Sequence, residues 1–246
     1  MLKNVVIYGE RCSGTNYLEE LLSLNFEAKR IEHKLGLQDK FGLQHKFGLK
    51  HFFGFNSYED TDDILFICIV RGPVEWYNSL FRTPHHLPYS HRSNIVNFLN
   101  KEIFSFDDYN YHDKDETREI MEDRNIYTKE RYKNIFELRH TKLRYLIEDL
   151  PKKVKNFILI RYEDLVYNFV NTMNQIKNCN LEVKQDINFP LNTNNYKKDT
   201  NIKFSTIKKQ PYIITKEMVY ENSNFNPQYE KRLGYYPPQK EYEDVK

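Results

Sequence analysis

Unbroken apolar runs punctuate a chain that is otherwise strongly polar: Val5-Val6-Ile7-Tyr8, then Ile64-Leu-Phe-Ile-Cys-Ile-Val70, then the stretch Asn156-Phe-Ile-Leu-Ile160. Continuous rather than alternating hydrophobicity predicts strands covered on both faces, as in a parallel sheet. Each run is followed by residues at helical spacing: Tyr17 to Phe26, Val74 to Phe81, and Leu165, Val166, Phe169, Val170, Met173 and Ile176. The predicted fold class is therefore α/β, a three-layer α/β/α arrangement around a central parallel sheet. Tyr132, Ile135, Phe136, Leu143, Leu146 and Leu150 predict one long amphipathic helix ended by Pro151, with Arg131, Arg139, Lys142 and Arg144 on a solvated polar face. Residues 105–124 are acidic, aromatic and weakly periodic, which predicts a lid or surface excursion.

Composition narrows this picture. No Pro/Gly/Ser-rich linker divides the 246 residues, so a single domain over 1–246 is expected. A net charge of +2 argues against a nucleic-acid-wrapping protein and leaves room for a local anion site. The cysteines, Cys12, Cys68 and Cys179, are odd in number and lack metal-ligand spacing, which predicts a reducing, cytoplasmic setting with no metal and no disulfide framework. The first strand follows Met1 so closely that no signal peptide is expected, and no apolar stretch is long enough to span a bilayer. Residues 35–55 contain a hexapeptide repeat: Leu35-Gly-Leu-Gln-Asp-Lys40, Phe41-Gly-Leu-Gln-His-Lys46 and Phe47-Gly-Leu-Lys-His-Phe52. With so few copies it reads as a local duplication within one connection, not a solenoid.

The chemistry is concentrated where strands end. Gly9-Glu-Arg-Cys-Ser-Gly-Thr-Asn16 joins the first strand to the first helix. Such a loop aims backbone N–H groups and a helix N-terminus at one point, as phosphate or sulfate binding requires. A nucleoside-triphosphate phosphate loop would carry Lys at the place of Thr15. The second strand ends in Arg71-Gly-Pro-Val-Glu-Trp-Tyr-Asn-Ser79, offering a guanidinium fork and a hydroxyl for phosphate oxygens. Both motifs stand at the carboxyl end of the expected sheet, where ligands of open α/β sheets bind.

Together these motifs resemble the PAPS-dependent sulfotransferase family. Ser13-Gly14-Thr15 is similar to the family's 5′-phosphosulfate loop, Arg71-x-Pro with Ser79 to its 3′-phosphate motif, and Arg161-Tyr-Glu-Asp-Leu165 to a Tyr-Glu-Asp segment after a later strand. The resemblance implies a P-loop-like sulfotransferase fold, PAPS as donor and PAP as product. It also implies sulfuryl transfer to a hydroxyl or amine of a small-molecule or carbohydrate acceptor, without a metal, a membrane or nucleic acid. It assigns Arg11, Cys12, Ser13, Gly14, Thr15, Asn16, Arg71 and Ser79 to the donor. The base falls to His51, accompanied by Lys50, or to Glu10, with His85-His86 expected along the acceptor channel. Departures are clear as well: Cys12 stands where the family loop carries Lys or Arg, the charge being displaced to Arg11, and the family's C-terminal Arg-Lys-Gly loop is missing. Lys197-Lys198 or Lys208-Lys209 are candidate substitutes, and Arg139 with Lys142 are candidates for an anionic acceptor. A small-molecule kinase and a non-catalytic anion-binding module remain as alternatives.

Overall fold

The computed structural model describes residues 1–30, 47–91, 94–106, 119–184, 190–192 and 212–237. A parallel sheet runs in the order β2-β1-β3-β4, built from β1 (Asn4–Tyr8), β2 (Lys29–Arg30), β3 (Ile64–Val70) and β4 (Asn156–Arg161). Three of the strands lie on the predicted apolar runs. β2 was not predicted, because two charged residues carry no hydrophobic signal; it is held by pairing with Asn4 and Val5.

Alternation within each strand sorts the core into two faces. Val5 and Ile7, with Leu65, Ile67 and Ile69, pack against Leu18, Leu21 and Leu22 of α1 (Thr15–Asn25). The same cluster includes Leu165 of α6 (Tyr162–Tyr167) and Met173 and Ile176 of α7 (Phe169–Asn178). The opposite face, Val6, Tyr8, Phe66, Cys68 and Val70, packs against Leu143, Tyr145, Leu146 and Leu150. Each fully buried Leu here contributes about 1.5–3 kcal/mol relative to exposure. A third cluster joins Val74, Trp76 and Leu80 of α2 (Pro73–Arg82) to Phe98 and Leu99 of α3 (Ile95–Asn100) and to Ile135 and Leu138. Val170, expected in the core, is exposed, because the helix breaks at Asn168 and restarts with its polar face turned.

The long helix departs from expectation at both ends. It begins at Ile135, where the Asn134 side chain accepts from the Phe136 and Glu137 amides, and α4 (Ile135–Arg144) then runs into a π-helical turn over Tyr145–Asp149. Tyr132 instead bridges Ile103. Pro151 does not stop the chain: it sits in the first turn of α5 (Leu150–Lys153), where its missing N–H costs nothing. The π turn keeps both Leu146 and Leu150 on the sheet. The predicted surface excursion is core at its ends, since Ser105, Phe106, Ile120 and Asp123 are all buried; residues 107–118 lie outside the described set.

The chain closes through its C-terminal segment. The Asn78 amide donates to the Ile214 carbonyl and accepts from the Ile213 and Ile214 amides, clasping the stretch before α8 (Lys216–Tyr220) onto α2. α9 (Gln228–Arg232) places Tyr229 in the core and Glu230 beside Arg139.

Candidate anion site and base

Residues 9–14 turn the chain from β1 into α1 within a space that excludes side chains at two places. A Cβ on Gly9 would fall 2.7 Å from the Ile69 carbonyl oxygen, and one on Gly14 would fall 2.4 Å from the Tyr162 ring. Gly14 also has φ of 100°, and Cys12 follows the left-handed region at φ of 63°. The Ser13 amide and hydroxyl both donate to the Glu10 carbonyl, at 3.1 and 2.5 Å, so this side chain closes the loop upon itself. No side chain caps α1 and its first turn holds no acidic residue, leaving the positive end of the helix uncompensated by carboxylate.

The last copy of the repeat lies against this loop. The Gly9 amide donates to the Lys50 carbonyl at 3.0 Å, and the His51 Nδ1 lies 2.6 Å from the Gly9 carbonyl oxygen. A carbonyl only accepts, so Nδ1 carries the hydrogen and Nε2 holds the lone pair of the neutral ring. Burial, then the neighbouring Lys50 charge, push the His51 pKa down to about 3, so the ring is neutral across the physiological range. Lys50 Nζ reaches Asn16 Oδ1 at 2.5 Å and Glu19 Oε1 at 2.6 Å on α1. Phe47, Phe52 and Phe53 anchor the copy in the core. Residues 31–46, with the earlier copies, lie outside the described set.

At the end of β3, Arg71 meets the other side of the loop. Its Nη1 donates to the Cys12 carbonyl at 3.2 Å, its guanidinium lies 4.6 Å from the Tyr162 ring centroid, and its buried Nε has no hydrogen-bond partner. No carboxylate of the described residues pairs with it. The Cys12 thiol donates to the Thr83 carbonyl at 3.7 Å; burial raises its pKa and the Ser79 hydroxyl acts against that rise. Arg71 and Ser79 thus both lie close to Cys12 of the loop. The Arg161-Tyr-Glu-Asp segment braces them: Glu163 accepts from the Gly72 amide at 2.9 Å and from the Tyr235 hydroxyl at 2.7 Å, while Arg161 pairs with Asp164 and donates to the Leu233 carbonyl.

Five other candidates sit differently from their predicted places. Arg11 turns away from the loop mouth and is 1% exposed; it pairs with Glu10 at 2.8 Å and Asp123 at 3.1 Å and donates to Ser105 Oγ and the His85 carbonyl. Glu10 is no free base: burial would raise its pKa, but Lys142 and Arg11 outweigh burial and hold it down to about 2. Arg139 and Lys142, predicted on a solvated face, are buried and fully engaged, Arg139 with Glu230, and Lys142 with Glu10 and Asp123. Their carboxylate partners come from distant segments, which helical periodicity does not reveal. His86 is buried with Nδ1 2.7 Å from the Phe106 carbonyl oxygen, so it ties the chain behind α2 rather than facing a channel. Lys197, Lys198, Lys208 and Lys209 lie outside the described residues.

Sequence reasoning missed Tyr162 and Asp123. Tyr162 immediately follows β4, a position that could have pointed to it as the floor beneath Arg71. Asp123 carried no signal within an acidic stretch. The chain matches no protein-family model, no curated protein and no solved structure. Among the described residues no helix is long and apolar enough to cross a membrane, and no group of three or more His, Cys, Asp or Glu side chains is arranged to hold a metal ion.

Proposed function

We propose that this protein is a sulfotransferase that moves a sulfuryl group from PAPS to a hydroxyl or amine acceptor, on a three-layer P-loop-like scaffold. The observation that carries the reading is Arg71. Arg11 and Arg139 each have a carboxylate, whereas no carboxylate among the described residues pairs with Arg71, which stands beside an anion-type loop with its Nε buried and without a hydrogen-bond partner. A buried donor without a partner is costly unless a ligand oxygen supplies one. In this reading the loop N–H groups and the N-terminus of α1 hold the phosphosulfate, and Arg71 with Ser79 holds the 3′-phosphate. Thr15 in place of a phosphate-loop Lys favours such a donor over ATP.

His51 is the base in this scheme because its neutral ring carries the lone pair on Nε2; Glu10 is not, because its Oε1 accepts from Arg11 and its Oε2 lies 2.5 Å from the Lys142 ammonium. Nε2 takes the acceptor's hydroxyl proton as the acceptor O–S bond forms and the sulfur–oxygen bond to the 5′-phosphate breaks, the electron pair leaving on that phosphate. Lys50, already at Asn16 on the first turn of α1, lends positive charge to the departing oxygen. Calorimetry with PAP, and separately with magnesium ATP, tests the reading. PAP binding that Arg71→Gln weakens about 100-fold is the expected result; binding of ATP without PAP overturns it.

A further inference from the structure

The Lys142 ammonium joins three separate segments. It donates to Asp123 Oδ1 at 2.5 Å and to the His51 main-chain carbonyl at 2.8 Å, and it forms an ion pair with Glu10 Oε2 of the loop at 2.5 Å. The residue is 3% exposed. Asp123 is fixed in turn by Arg11 and by the Ser105 hydroxyl. His51 is therefore gripped twice, at its ring by the Gly9 carbonyl and at its backbone by Lys142 of α4.

We propose that Lys142 is a positioning residue for His51: it fixes the backbone of the His51 turn, and with it the ring orientation in which Nδ1 faces Gly9 and Nε2 is the lone-pair nitrogen. The bearing of this role on turnover rests on the sulfotransferase reading, but the role itself does not. Glu10, Arg11, Asp123 and Lys142 form a buried set of two anions and two cations. Removing Lys142 alone leaves an excess negative charge; removing Lys142 and Asp123 charge together restores the balance while depriving His51 of its donor. That difference separates positioning from bulk stability. The charged groups facing the ring, Lys50, Glu10 and Arg11, are retained in the double variant.

The test is NMR of the full chain with isotope-labelled histidine and lysine. In the wild type, His51 is expected as a single Nδ1–H tautomer. The Lys142 ammonium is expected to be protected from exchange and coupled across its hydrogen bond to the carbonyl carbon of residue 51; absence of that coupling overturns the proposal without any variant. In Lys142→Met/Asp123→Asn the His51 tautomers mix, whereas Asp123→Asn alone, retaining Lys142 and its hydrogen bond to the His51 carbonyl, preserves the wild-type signals. A folded double variant that keeps the single tautomer, or an Asp123→Asn variant that loses it, refutes the role. PAP titrated into the wild-type sample judges the sulfotransferase reading separately: failure to bind removes that reading and leaves the tautomer experiment to decide on Lys142.

Discussion

Arg11 and Arg71 both follow a strand of the same sheet, and by position in the sequence either could meet an anion. Arg11 points inward, paired with two carboxylates and two further acceptors. Arg71 rests on an aromatic ring with one hydrogen bond at 3.2 Å. The difference lies in their partners: Glu10 and Asp123 pair with one guanidinium, while of the carboxylates beside the Arg71 turn Glu75 accepts from the Tyr212 hydroxyl and Glu163 from the Gly72 amide and the Tyr235 hydroxyl. A cation's availability to a ligand is set by the acids the fold brings to it, one adjacent and one remote in sequence for Arg11, and not by its place in a motif.

The comparison breaks most visibly if Arg11 is removed. Arg11→Met leaves buried carboxylates under-compensated and is expected to cost about 3–5 kcal/mol of stability, read by urea unfolding. Arg71→Gln is expected to leave the urea midpoint almost unchanged and to weaken PAP binding about 100-fold, or about 2.7 kcal/mol; equal destabilisation by both variants would erase the distinction. Acid sharpens it. Between pH 6.5 and about 3, His51 binds a proton in the unfolded chain but not in the folded one, so stability falls as pH drops through that window. Below 4.5, Glu10 adds to the loss in the same direction, because its folded pKa is near 2. His51→Gln should flatten the upper limb, between pH 6.5 and 4.5, by about 1–2 kcal/mol in unfolding measurements. The smallest effect belongs to Lys155, whose exposed pair with Asp62 should yield less than about 0.5 kcal/mol when Lys155→Ala is unfolded in urea.

Much of the scaffold was legible. β3 is apolar throughout, and β1 and β4 are apolar except at their ends, because both faces of the sheet are covered, and that leaves a continuous signal. The glycines of the loop were legible as a tight turn, and their necessity follows from Ile69 and Tyr162. The buried charges were not. Arg139 and Lys142 look solvated on a helical wheel, and only the fold brings Glu230, Glu10 and Asp123 to them. The His51 assignment was half visible: its place between the donor motifs suggested a base, but the tautomer depends on the Gly9 carbonyl, a contact set by how the repeat docks. The π turn likewise has no periodic signature, so Pro151 read as a stop.

The docked copy of the repeat is held by its own contacts. Phe47 is fastened in the core and Arg30 in the sheet, so the earlier copies of the repeat fall in the stretch between two fixed ends. The copy whose Lys50 and His51 meet the loop is the one that Phe47, Phe52 and Phe53 tie to the core, so its position against Gly9 and Asn16 is set by packing and not by the number of copies before it.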